Sequence, residues 1–181
     1  MKLTRTIKDI PTLRTLLEGA EAEARDAGRA EPGAEHLLLA ALALPEGSAP
    51  RVLAHLDPTV DLARVRAAIA AQHAAALEAV GIEVPGPLAA DAPGEADLPV
   101  PPTYRADASA REAFRAVTEL VRAKPRVPLC GAHVVAAVAG LEHGTTPRAL
   151  RILGIDREAL AAAARAELAR LAAAGRDRRS A

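Results

Sequence analysis

Three observations predict an all-α fold. Half of the residues are apolar, yet Phe114 and Tyr104 are the only aromatics and Trp is absent, so a core must be built from Leu, Val, Ile and Ala. Ala and Leu favour helices, and small side chains let helices approach closely. Apolar residues also recur at helical spacing in runs that stop at Gly and Pro. Finally, PGAEHLLLAALALPEGSAPRVLAHL, residues 32–56, returns as LCGAHVVAAVAGLEHGTTPRALRIL, residues 129–153, with His133 lying 97 positions after His36 (133 minus 36) and no gap in between. A segment written twice at a fixed offset marks a structural repeat.

The elements follow in order. Leu13, Leu16, Leu17, Ala20, Ala24 and Ala27 lie at helical spacing, and Gly28 is placed to end that helix just beyond its last turn. AEHLLLAALAL is a second, short helix, apolar all round and therefore buried, stopped by Pro45 and Gly47. A third begins at Ser48 or Ala49 with Pro50 in its first turn, where a missing N–H costs nothing. Asp61 reads as the N-cap of a fourth, LARVRAAIAAQHAAALEAV, ending before Gly81. From Gly81 to Ala108, six prolines at 85, 87, 93, 99, 101 and 102 forbid a continuous helix and predict an extended linker.

Beyond the linker the pattern restarts. Phe114, Val117 and Val121 answer Leu17, Ala20 and Ala24 at the same offset, AHVVAAVAGL answers the second helix, and TTPRALRIL answers SAPRVLAHL. In GIDREAL, Asp156 answers the cap Asp61 after a two-residue gap. The expected organisation is a first repeat over 1–80, a Pro-rich linker over 81–108, a second repeat over 109–175 and a basic tail over 176–181, about eight helices in one double-repeat domain. A four-helix unit of this size buries little core alone, and two copies packed face to face share one. Pseudo-twofold symmetry follows.

Composition excludes several functions. Basic and acidic residues balance at 23 each, which argues against a protein whose main task is neutralising phosphate backbones. There is no basic recognition helix, and two aromatics cannot form a stacking platform for bases, so nucleic acid is an unlikely partner. Cys130 is the only cysteine, so no internal disulfide or thiolate cluster can form. The longest uncharged stretch, Val127 to Leu141, falls short of a membrane span, and the charged N-terminus lacks the apolar block of a signal peptide. A cytoplasmic, membrane-free location is expected. The five histidines show no His-Glu-x-x-His or zinc-type spacing, so no metal and no cofactor is expected. Ser48, Ser109 and Ser180 are the only serines and none sits in a nucleophile elbow, while Lys124 follows no glycine-rich phosphate loop. No catalytic residue is assigned, and the chain is not expected to be an enzyme.

The run AEAEARDAGRAEPGAEHLLLAALALPEGSAPRVLAHLDPTVDLARVRAAI resembles the Clp N-terminal (Clp repeat, Clp R) domain family, whose pattern places Gly-Thr-Glu-His-Leu-Leu-Leu at the second helix and Val-Asp-Leu at the start of the fourth. Gly33, Glu35, His36, Leu37, Leu38 and Leu39 match, and Ala34 stands where the family usually has Thr. The likeness covers nearly all of the first half; the second half gains its likeness from its offset to the first. The resemblance implies the all-helical domain that, in Clp-type unfoldases, docks adaptors and substrates, including arginine-phosphorylated proteins. It implies a free-standing recognition domain without the AAA+ modules: a non-catalytic protein- or peptide-binding module in protein quality control. Such a module would serve as an accessory that presents clients to a Clp machine or as a decoy that competes for them. Its partners would be proteins or peptides, among them phosphoarginine-bearing clients or Clp subunits. The alternative is a helical regulatory protein associated with nucleic acid.

The ligand-binding residues expected are Gly33, Glu35 and His36. An acid at a helix start is favoured by the helix dipole. A carboxylate beside free helix N–H groups also offers both halves of a phosphoarginine site, the acid for the guanidinium and the N–H groups for the phosphate. The resemblance implies that role for Glu35. Ala132 replaces it in the second copy, which is expected to be a scaffold in which Ala132→Glu would partly create a second site. His36 and His133 read as core histidines, each satisfied by one hydrogen bond.

Overall fold

The structure, a computed structural model, describes residues 3–79, 105–123 and 127–180; among these the side chains of 3–8, 77 and 177–180 are left aside. The described residues form eight helices and no strand: α1 (Leu3–Asp26), α2 (Ala34–Ala43), α3 (Ser48–Leu56), α4 (Leu62–Glu78), α5 (Ala108–Ala123), α6 (Gly131–Ala139), α7 (Thr145–Ile152) and α8 (Arg157–Ser180). Most of the linker expected over 81–108 lies outside the described residues. The backbone of the expected tail continues α8 as far as Ser180.

Local chemistry sets the helix ends. Gly28 has φ 66°, and its N–H bonds the Arg25 carbonyl while Arg29 N–H bonds that of Ala24, the paired closure that a left-handed residue past the last turn allows. Gly154, φ 71°, repeats this after α7 with Arg151 and Leu150. Asp61 Oδ1 accepts Arg64 N–H at 2.8 Å and Asp156 Oδ1 accepts Ala159 N–H at 2.8 Å, so both predicted caps close the starts of α4 and α8. Helix α1 starts at Leu3, well before the first periodic residue Leu13, and contains Pro11. Its early turns carry charges instead of an apolar stripe, so periodicity gives no sign of them.

Packing crosses between the copies. In each half the first helix lies on the second, α1 on α2 and α5 on α6, and α2 meets α6 at the centre. The third helix of each half packs on the fourth helix of the other, α3 on α8 and α7 on α4. Neither unit closes over its own apolar faces. One continuous core results, running from Leu16 through the α2 and α6 residues to Leu168. At its edge Arg51 of α3 bonds Glu167 of α8 at 2.8 Å, and Asp9 of α1 accepts Leu129 N–H from the second half at 3.0 Å. No single described helix is long and apolar enough to cross a membrane; α2 and α3 pass such a test only as a pair bent by 101°, and both contribute to the core.

Candidate functional site: two helix starts

The apolar sequences of α2 and α6 bury both helices, which brings two helix N-termini, whose first N–H groups have no partner within the helix, toward the centre of the molecule. At α2 the three expected residues come together. Gly33 is the N-cap, and its N–H is taken by His36 Nδ1 at 2.9 Å. A third helical residue reaching back to the cap N–H is one half of a capping box, with imidazole in place of the usual carboxylate or amide. Because Nδ1 accepts, the ring proton belongs on Nε2, which is buried with no hydrogen-bond partner. Burial holds the His36 pKa below its ordinary value, against the raising effect of Glu35. His36 is 1% exposed and thus acts from inside.

Glu35 is also buried, at 3% exposure. A Cβ on Gly33 would stand 2.6 Å from Glu35 Oε1 and 2.7 Å from Oε2, so the missing side chain of Gly33 provides the space into which the carboxylate folds back over the helix start. Oε1 lies 3.7 Å from His36 Nδ1 and 3.8 Å from Nε2 of His73 on α4, both beyond hydrogen-bonding distance. Burial pushes the Glu35 pKa up, but the neighbouring His73 and the N–H of Glu35 itself outweigh it and leave the carboxyl below its ordinary value. Ser109 Oγ accepts the next N–H, that of Ala34, at 3.0 Å. Among the described residues no group of three or more His, Cys, Asp or Glu side chains is placed to hold a metal ion.

The α6 start is built differently. His133 Nδ1 takes Cys130 N–H at 3.3 Å, as His36 does for Gly33. The carboxylate at this start comes from the other repeat: Glu46 Oε1 accepts Gly131 N–H at 2.7 Å, and Ser48 Oγ accepts Ala132 N–H at 2.8 Å. Gly131 permits this approach, since a Cβ there would meet the Ala41 carbonyl oxygen at 2.8 Å, Ala49 Cβ at 2.8 Å and Glu46 Oε1 at 3.1 Å. The second copy therefore loses its own glutamate without losing a carboxylate at the helix start. The equivalent of His73 changes too: the offset that aligns Asp156 with Asp61 sets buried Leu168 at its position, so the second copy is apolar at both places. Ala132 is fully buried against that closed start, so the geometry argues against the expected second site. Cys130 lies with Sγ 3.2 Å from His133 Nδ1, and burial pushes its thiol up, away from reactivity.

Sequence reasoning missed His73, Glu46, Ser48 and Ser109. The only hint was that the turn PEGS pairs an acid with a helix-starting serine.

Two interlocked four-helix units with buried histidine-bearing second helices define a Clp-type double-repeat domain. Residues 11–86 match the model of the Clp repeat (R) N-terminal domain. Among solved structures, the N-terminal domain of caseinolytic protease associated chaperone ClpD from Arabidopsis thaliana shares the fold, with a TM-score of 0.55 and 19% identity over 85% of this chain and 92% of that one. No curated protein gives a significant match. Residues 11–86 are therefore similar to the Clp repeat N-terminal domain family, and the fold as a whole is that of the ClpD N-terminal domain.

Proposed function

We propose that this chain is a non-catalytic protein- or peptide-binding module of Clp type, serving as accessory or decoy in protein quality control, with the start of α2 as its ligand side. The match of residues 11–86 to the Clp repeat N-terminal domain supports the class of partner. The observation that carries the site is Glu35: a carboxylate 3% exposed, at a helix start, beside His73, whose side chain is 25% accessible. Burying a charge is costly, and a fold that needs only a cap has cheaper ways to obtain one. A guanidinium arriving over His73 would pair with Glu35, and a phosphate on it would face the N–H groups of α2.

Calorimetry with a phosphoarginine peptide tests this reading. Wild type binds, and Glu35→Ala loses about 1.5–3 kcal/mol of binding, the scale of a hydrogen bond to a charged group. Equal binding by both proteins reduces Glu35 to a helix-start charge. Capture of Clp subunits by the wild-type chain would distinguish an accessory from a decoy that takes up only clients.

A further inference from the structure

The two central helix starts are tied down by the same device, acting in opposite directions. Glu46 and Ser48, at the start of α3, close α6; Asp107 and Ser109, at the start of α5, close α2. Each is an acid, one residue, then a serine. The acid caps its own helix: Glu46 Oε2 takes Ser48 N–H at 2.9 Å, and Asp107 Oδ1 takes Ala110 N–H at 2.8 Å. The serine hydroxyl donates to that acid, at 2.9 Å for Ser48 and 2.7 Å for Ser109. Once its proton is committed there, its lone pairs are left to accept an N–H of the other repeat, Ala132 at 2.8 Å or Ala34 at 3.0 Å. The two turns are not copies of one another, since the repeat offset sets Thr145 against Ser48 and Thr12 against Ser109. Asp107 adds a further tie to the first repeat, its N–H bonding the Pro32 carbonyl at 3.0 Å.

We infer that these two acid-x-Ser turns form a reciprocal latch, through which each repeat sets the order of the other repeat's central helix start. The latch couples the halves at the two points where the helix N–H groups gather. Resting on the function proposed above, it also regulates that site: a ligand group that takes Ala34 N–H must take it from Ser109, and so breaks this tie to the second repeat.

Amide hydrogen exchange on the full chain, read residue by residue by NMR, tests the latch without any ligand. Ser109→Ala should speed exchange at Ala34 about tenfold while leaving Ala132 unchanged, and Ser48→Ala should do the reverse. Ser109→Thr keeps the hydroxyl and should stay near wild type at Ala34. Ser48 is fully buried, so Glu46→Ala, at an exposed position, gives a second reading at Gly131 and Ala132. Unchanged exchange across the repeats, or changes confined to the mutated residue's own helix, overturns the latch. Failure of wild type to bind a phosphoarginine peptide would instead overturn the proposed function and leave the exchange result as it stands.

Discussion

At the scale of single residues, the two helix-start glycines serve opposite ends. The atoms a side chain on Gly131 would meet are a backbone carbonyl and a packed Cβ, neither free to turn away. Gly131→Ala should therefore cost about 1–3 kcal/mol of stability by overpacking, seen as a lower denaturant midpoint at unchanged slope. On Gly33 the nearest atoms belong to the end of the Glu35 side chain, which can rotate. Gly33→Ala should leave the midpoint within about 0.5 kcal/mol of wild type while pushing Glu35 off the helix start, so its effect falls on binding. Ala132→Glu, written from sequence as the way to a second site, would place a carboxylate in a filled space beside Glu46. The account predicts destabilisation by about 3–5 kcal/mol, the scale of an uncompensated buried charge, and no added binding.

At the scale of elements, the helix ends were legible because their signals are local. Gly28, Asp61 and Asp156 each act within a few residues of their own position, and each does in the structure what its spacing predicts. Gly28→Ala should cost about 1–2 kcal/mol, because its φ of 66° is strained for any residue with a Cβ. Asp61→Ala and Asp156→Ala should each cost about 1 kcal/mol, the usual value of an N-cap; thermal unfolding measures all three. What sequence could not show was the closing of α2 and α6, because Ser109 and Ala34 are 75 residues apart and Glu46 and Gly131 are 85 apart. The Glu35–His73 approach has the same origin: nothing in the α4 sequence distinguishes a histidine aimed at α2 from one on a solvated face. Gly33, Glu35 and His36 were legible as a group through their adjacency at a helix start, whereas their burial depends on α4 and α5 folding over them.

At the scale of the whole molecule, the repeats are joined by crossed packing and by charge. Glu167 of α8 holds both Arg170 of its own helix and Arg51 of α3, and the Arg170 and Arg51 guanidinium groups bring its carboxyl down to about 2 despite burial. A carboxyl whose folded pKa is lowered contributes stability above its ordinary value of 4.5, and that contribution is lost as the pH falls toward about 2. Stability should decline across this window, and Glu167→Gln should flatten part of the decline in chemical denaturation followed from pH 5 to 2. Glu35 acts in the same direction, its lowered carboxyl losing its contribution as acid protonates it. The central claim is that α1–α4 and α5–α8 are halves of one core, each supplying the surface its partner needs. A protease site placed between Gly86 and Pro99, cut under native conditions and followed by gel filtration, tests it most directly. The account predicts that the cut halves elute together at the position of the intact chain and unfold in a single transition; halves that separate and stay folded would contradict it.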